Sequence, residues 1–286
     1  MKDIRKKSAE EEQKASLEMA LDHYENFPVV SFLVPKHLRK HIALIYRFAR
    51  QADDIADEGM LPDKERLSLL LRYEDELNRS VSGKPSDKYW ESLAETIKEK
   101  KLSQIHFFNL LKAFKQDILK KRYNSFQDLL NYCCNSANPV GRLILELYNI
   151  RDNNLFQYSD YICSALQLTN FYQDVSLDIK KGRIYFPLDE MSRFDVKEED
   201  FELGRNHANL RALFKFQIDR TREMFLRGKR LTSHLPFPLK QEIGWTILGG
   251  QKVLDKIENI DFNVLNIRPK LNKFEYLSLV IKTFIY

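Results

Sequence analysis

The sequence predicts an all-α protein, and two observations lead to that expectation. Apolar residues recur at helical spacing through most of the 286 residues. The chain also has only nine glycines and nine prolines, too few for a fold built from many short strands and turns. With 43% hydrophobic and 30% charged residues, the composition is that of a folded globular protein and excludes a disordered one.

The periodicity places the helices in order along one domain that covers residues 1–286. The expected ranges are 8–24, 36–58, 62–82, 88–100, 103–121, 125–149, 153–181, 207–233, 236–260 and 272–285. Pro139 should break or kink its helix, because proline lacks a backbone donor and clashes with the preceding turn. The stretch GRIYFP (182–187) is the only strand-like run and is too short to found a sheet.

Charge and cysteine usage exclude several classes of function. The net charge is +5, but basic and acidic residues alternate almost everywhere, so no basic stripe indicates nucleic-acid binding. The three cysteines lack CxxC spacing, which argues against a disulfide framework or a zinc ribbon and favours a reducing cytoplasm. We therefore expect a cytoplasmic protein that binds no nucleic acid.

The sequence predicts no membrane span. The first residues lack the apolar core of a signal peptide, and no stretch approaches the roughly 18 apolar residues that cross a bilayer. The segment EYLSLVIKTFIY (275–286) is expected to be the last core helix, with peripheral contact at the inner membrane face as the alternative.

The stretch YRFARQADDIADE (46–58) concentrates carboxylates on a predicted helix. Tyr46, Arg50, Asp53 and Asp57 stand at i, i+4, i+7 and i+11, which places them on one face. Aspartate is a poor helix former and like charges one turn apart repel, so the concentration is unfavourable for the helix alone. A binding function would explain it.

A second stretch, QLTNFYQDVSLDIKKGRIYFP (167–187), repeats this design. Asn170, Asp174 and Asp178 stand at i, i+4 and i+8, again on one helical face. Basic residues follow at once: Lys180, Lys181 and Arg183.

The chemistry of the two faces predicts a Mg²⁺-bridged diphosphate site. If the faces are opposed, they make a cavity lined by oxygen, which selects hard cations, and Mg²⁺ is commonly shared between carboxylates and phosphates. Arginine and lysine supply the remaining phosphate contacts. The implied reaction is departure of the diphosphate. The alternative is that each acidic face is merely solvated.

Together the two stretches resemble the squalene/phytoene synthase family, over about residues 23–265. The resemblance implies an isoprenoid synthase helical bundle with a central apolar cavity, Mg²⁺ as cofactor and prenyl diphosphates as substrates. The metal ligands that it implies are Asp53, Asp57, Asn170, Asp174 and Asp178. The expected catalytic residues are Tyr46 and Arg50. Substrate contacts are expected from Gln167, Asn170, Gln173, Lys181 and Arg183.

Departures from the family pattern bear on the product. Tyr24–Phe27 (YENF) stands where many members have Ser-x-Ser-Phe, Gln173 where many have arginine, and Cys134 where a tyrosine is common. The stretches HYENFPVVS, SANPVGR and NFYQDV resemble bacterial hydroxysqualene synthases, which work beside a presqualene diphosphate synthase in hopanoid biosynthesis. A lost cation is consistent with a substrate that carries one diphosphate. The resemblance implies ionisation of presqualene diphosphate, cyclopropyl rearrangement and capture by water, without a nicotinamide cofactor.

Two alternatives remain open. The protein could be a presqualene diphosphate, squalene or phytoene synthase that condenses prenyl diphosphates. It could instead be a non-catalytic assembly factor of the same family, but such proteins need not keep the metal-binding aspartates, so their presence argues against this.

A few other residues invite a functional interpretation. Phe27, Phe171 and Tyr172 could stabilise carbocations or simply pack in the core. His37 and His41, one turn apart, are expected at the surface rather than on zinc. Cys133 and Cys134 are expected to be buried. The small residues expected to leave room for a prenyl chain are Ser136, Ala137 and Gly141.

Overall fold

A computed structural model describes Ser16, residues 34–272, and residues 274, 275, 278 and 279. The described residues form helices and irregular connections and contain no β-strand, which confirms the all-α prediction. The YENF stretch, the helix expected at 8–24 and most of the one expected at 272–285 lie outside them.

The described helices follow the predicted order closely. The α-helices are α1 (Lys36–Asp57), α2 (Asp63–Val81), α3 (Lys88–Glu99), α4 (Gln104–Leu119), α5 (Phe126–Ser136), α6 (Asn138–Leu147), α7 (Asn153–Gln173), α8 (Val175–Asp178), α9 (Leu188–Arg193), α10 (Glu198–Glu202), α11 (Ala208–Gly228) and α12 (Phe237–Asn259). Turns of 3₁₀-helix follow α8 and α11, at Ile179–Lys181 and Lys229–His234. None of the helices in the described part of the chain is both long enough and apolar enough to cross a lipid bilayer.

The chain divides into two compact units. The first unit comprises Met1–Leu119 and Arg142–Arg151, and the second comprises Lys120–Gly141 and Asp152–Tyr286. A single domain over residues 1–286 remains a prediction.

In the first unit, α1 packs against α2, α3 and α4. Phe48 of α1 is fully buried and meets Trp90 and Phe107 edge to face, with ring centroids 6.3 and 5.2 Å away. Such aromatic contacts bury a large apolar area and fix the rotation of the helix about its axis. One side of α1 therefore faces the core.

His41 also anchors α1, from within the core. Its side chain is 1% exposed, and Nδ1 lies 3.0 Å from Thr96 Oγ1 on α3. Burial lowers the pKa of His41 from 6.5 to about 4, although Glu99 opposes the shift. The surface prediction is confirmed for His37 and is wrong for His41, because His41 lies one turn further on, against α3.

In the second unit, α7 packs against α5, α11 and α12. Glycines on its neighbours allow close approach: an added Cβ at Gly141 would lie 2.4 Å from Ser159 Oγ, and one at Gly228 would lie 2.5 Å from Ile162 Cγ1. A Cβ at Gly250 would lie 3.1 Å from Leu166 Cδ2. The backbones of α6, α11 and α12 therefore lie close against α7 at these glycines.

This packing corrects one cavity prediction. The space beside Gly141 is filled by Ser159 and by Cys163, whose Sγ would lie 2.5 Å from an added Cβ. Gly141 thus brings helices together and leaves no room there for a prenyl chain. Ser136 and Ala137 are half-buried, and a cavity beside them remains a prediction.

The expected helix at 125–149 breaks at Ala137, between α5 and α6, as Pro139 predicts. Cys133 is buried as expected, whereas Cys134 is exposed, so burial of both cysteines is wrong. Adjacent residues on a helix point about 100° apart, and only the first faces the core.

Candidate functional site

The first acidic stretch lies on the unbroken helix α1. Tyr46, Arg50, Asp53 and Asp57 are each partly exposed, as a face turned away from a core would be. The buried side of the same segment consists of Ile45, Phe48, Ala52 and Ala56. The four residues predicted to share a face are thus separate from the buried side of α1.

Arg50 pairs with the carboxylates of this stretch from within the same helix. Its Nη2 lies 2.8 Å from Asp54 Oδ1, and its Nη1 donates to Asp53 Oδ2 at 3.3 Å. Nη2 also donates to Glu58 Oε1 at 2.7 Å. Burial lowers the pKa of Arg50, but the three carboxylates more than offset this and raise it above its ordinary value. A single guanidinium one turn away thus offsets part of the negative charge of the first stretch.

The second acidic stretch is interrupted where one continuous helix was expected. Helix α7 ends at Gln173, and Asp174 has φ −103° and ψ 13°, in the bridge region where many active-site residues lie. The backbone bonds nevertheless continue: Asp174 N donates to Asn170 O at 2.9 Å, and Asp178 N donates to Asp174 O at 3.0 Å. These bonds keep the three predicted site residues, Asn170, Asp174 and Asp178, one turn apart along the chain.

Arg268 binds Asp174 through both carboxylate oxygens. Its Nε donates to Oδ1 at 2.5 Å and its Nη2 to Oδ2 at 3.0 Å, and the two side chains are 33% and 28% exposed. The hydrogen bonds to Asp174 raise the pKa of Arg268 above its ordinary value. Arg268 was not predicted from the sequence, because it lies 94 residues from its partner and its only signal is a lone arginine in the polar connector after α12.

Gln173 reaches the same connector. Its side chain is fully buried, and Nε2 donates to the carbonyl oxygen of Pro269 at 2.6 Å. A residue expected to contact substrate is thus hydrogen-bonded to the chain next to Arg268. Its contact with substrate remains a prediction.

The turn after α8 brings the basic residues back towards the second stretch. Gly182 adopts φ +68°, a conformation that suits glycine, and Arg183 N donates to Asp178 O at 2.9 Å. Arg183 is buried, whereas Lys181 is exposed. Arg122, which sequence analysis missed, fixes this turn by donating to the carbonyl oxygen of Gly182 at 2.6 Å.

The remaining predicted residues lie on α7. Gln167 and Asn170 are partly exposed, and Phe171 and Tyr172 are buried. Phe171 stacks on Tyr185 with ring centroids 3.6 Å apart and planes 9° apart. Stabilisation of a carbocation by either buried ring remains a prediction.

The two acidic stretches suit a hard cation by their donor chemistry. No cluster of three or more histidine, cysteine or acidic side chains forms a metal site by itself among the described residues. Each stretch nevertheless offers partly exposed oxygen donors, the ligands that Mg²⁺ prefers. At Asp174 a cationic guanidinium already binds both oxygens, which shows that the position favours positive charge.

Comparisons with known proteins identify the family. A family model described as squalene/phytoene synthase matches residues 21–275. The chain is 38% identical over 190 residues to a hydroxysqualene synthase from Zymomonas mobilis, a match that covers 65% of this chain and 62% of that protein. It is 32% identical over 212 residues to one from Rhodopseudomonas palustris, covering 74% and 71%. The chain thus matches less than two thirds of the Zymomonas protein.

A solved structure gives the same result for the fold. The crystal structure described as squalene synthase HpnC from Alicyclobacillus acidocaldarius is 34% identical and superposes with a TM-score of 0.84, covering 89% of this chain and 96% of that one. With the family match over most of the sequence, the conclusion is plain: the chain belongs to the squalene/phytoene synthase family.

Proposed function

We propose that this chain is a Mg²⁺-dependent isoprenoid synthase that ionises presqualene diphosphate and forms hydroxysqualene. The observation that carries the reaction class is that two acidic helical faces each hold a guanidinium, Arg50 in one and Arg268 in the other. Carboxylates that share a metal with phosphate, together with arginines that bind phosphate oxygens, are what a diphosphate leaving group needs.

The metal ligands that we propose are Asp53, Asp57, Asn170, Asp174 and Asp178. Bound Mg²⁺ would neutralise the negative charge that develops on the departing diphosphate. The family match and the sequence signature support the assignment of both stretches to one substrate.

The chain's own cations then hold the diphosphate. Arg50, Lys181 and Arg183 donate charge-assisted hydrogen bonds to phosphate oxygens. Arg183 is 7% exposed, and a buried guanidinium interacts more strongly with an anion than a solvated one does. Tyr46 and Gln167 orient the substrate beside these cations.

The relatives support the choice of product, since two of them are hydroxysqualene synthases. Gln173, which stands where many family members have arginine, is weaker support for hydroxysqualene as the product. Arg268 brings a guanidinium to the adjacent Asp174, so the positive charge is not lost from this position. A presqualene diphosphate synthase would supply the substrate, with peripheral membrane contact during its transfer. A condensing synthase is the second candidate, favoured by the 34% identity with the squalene synthase HpnC.

Product analysis tests the proposal. The purified protein is incubated with Mg²⁺ and either presqualene diphosphate or farnesyl diphosphate, with and without NADPH, and the extracts are analysed by gas chromatography. We expect hydroxysqualene from presqualene diphosphate alone, independent of NADPH. Efficient conversion of farnesyl diphosphate to presqualene diphosphate, squalene or phytoene-type products would establish the second candidate instead. No product from either substrate would contradict both.

A further inference from the structure

Gln173 and Asp174, at the end of α7, form hydrogen bonds with Pro269 and Arg268, which follow α12. Gln173 donates to the carbonyl of Pro269, and Asp174 accepts both hydrogen bonds of the Arg268 guanidinium. We call this pair of contacts the clasp. It lies within the second unit and joins parts of the chain 94 to 96 residues apart.

The clasp leaves the backbone of Arg268 little freedom. Gln173 is fully buried, so its hydrogen bond to Pro269 is shielded from competing water. Proline fixes its own φ and restricts the residue before it to extended conformations. A hydrogen bond that fixes the Pro269 carbonyl therefore also fixes the position from which the Arg268 side chain starts.

Further contacts hold the connector on either side of the clasp. Asn206 Nδ2 donates to the carbonyl of Asp261 at 2.9 Å. Lys256 Nζ lies 2.8 Å from Glu275 Oε2. The connector after α12 is thus held by contacts before the clasp, at the clasp and after it. These contacts fix the position of Arg268.

Arg268 and a metal ion compete for Asp174. The guanidinium uses both carboxylate oxygens, and a metal ligated by either oxygen would stand beside a fixed positive charge. Repulsion between the two cations favours one occupant at a time. Binding of the metal is therefore favoured when the guanidinium leaves.

We propose that Gln173 is a positioning residue that sets Arg268 on Asp174, and that Arg268 is the resident counter-ion which a metal must displace there. The proposal rests on the proposed function in one respect, which is that Asp174 is a metal ligand. Gln173 then acts by holding the connector that carries Arg268, and it does not contact the reacting groups directly.

Manganese titration of the full chain, followed by electron paramagnetic resonance without substrate, tests the proposal. Arg268→Gln should bind Mn²⁺ about three- to fivefold more tightly, the range expected when a partly exposed competing ion pair is removed. Gln173→Met should act in the same direction and more weakly. In the Arg268→Gln background, Gln173→Met should have no further effect, because it acts only through the arginine.

Arg222 provides the matched control. It also forms a bidentate pair, with Glu258 at 2.7 and 2.6 Å, and its side chain is 29% exposed. Arg222→Gln should leave Mn²⁺ affinity unchanged. Circular dichroism of each variant shows whether the helices are kept, so that a loss of fold is not mistaken for a change in affinity.

Several outcomes would overturn the inference. They are unchanged or weaker Mn²⁺ affinity in Arg268→Gln, an additive effect of Gln173→Met, and no measurable binding in any variant. Asp174→Asn separates this failure from failure of the proposed function. If Asp174→Asn weakens Mn²⁺ binding while Arg268→Gln does not change it, only the counter-ion role is lost. If Asp174→Asn leaves binding unchanged, the metal assignment fails as well.

Discussion

The two acidic stretches are alike in sequence but are paired with arginine in different ways. In the first, Arg50 on the unbroken helix α1 binds carboxylates that lie three and four residues away. In the second, the helix is interrupted at Asp174, and its arginine comes from a connector 94 residues away. A contact within one helix follows from spacing, whereas a contact made by a distant connector follows only from the tertiary fold. The first stretch has its arginine partner in its own helix, whereas the second needs an arginine from the connector beyond α12.

The largest expected effect tests whether the two stretches act together in spite of this difference. Asp53→Asn and Asp174→Asn should each lower turnover at least about 100-fold, because each removes a carboxylate ligand of the metal that stabilises the leaving group. Circular dichroism should be unchanged, and EDTA should abolish activity of the unmodified protein. Normal turnover in Asp174→Asn, or full activity in EDTA, would break the pairing of the two stretches.

Stability of the second unit should depend on the backbone contacts of α7. Gly228→Ala should lower the free energy of unfolding by about 3 kcal/mol, because the new Cβ would lie 2.9 Å from the Tyr158 carbonyl oxygen and 3.0 Å from Ile162 N, neither of which can rotate away. Gly141→Ala should cost about 1 kcal/mol or less, since it meets the side-chain ends of Ser159 and Cys163. Urea unfolding measures both. Equal effects would contradict the distinction between backbone and side-chain contacts.

Stability of the first unit should depend on pH through His41. Its folded pKa of about 4 lies below the ordinary 6.5, so its stabilising contribution is complete above pH 6.5 and is lost as the pH falls towards 4. The loss should be on the order of 3 kcal/mol. Comparing unfolding of His41→Gln and the unmodified protein between pH 7.5 and pH 4 isolates this term. Parallel pH profiles for the two proteins would rule out a buried neutral histidine.

The smallest effect sharpens the assignment within the first stretch. Asp54 pairs with Arg50 but is not among the proposed metal ligands, so Asp54→Asn should lower turnover less than about fivefold. Asp53→Asn, one residue earlier, provides the comparison. If the two variants lost equal activity, the ligands on α1 would have to be reassigned.

Hydrophobic periodicity was sufficient to predict the long helices. Helix α1 was expected at 36–58 and is observed at Lys36–Asp57, and α3 was expected at 88–100 and is observed at Lys88–Glu99. The short helices α9 and α10 were missed, because six and five residues hold too little periodicity to detect.

For the candidate site, the sequence predicted the acidic faces but not their surroundings. The faces follow from spacing along a single helix. The interruption at Asp174, the clasp and the burial of His41 all depend on which distant residues pack against a helix, and no local pattern encodes that choice.

The glycine contacts around α7 also determine where the second stretch can move. Added Cβ atoms at Gly141, Gly228 and Gly250 would lie 2.4, 2.5 and 3.1 Å from atoms of this helix, so it cannot slide or roll far without collisions. Any displacement that accompanies ligand uptake is therefore expected beyond Gln173, where the backbone leaves helical geometry at Asp174. Helix α7 is thus the fixed frame that carries the second stretch.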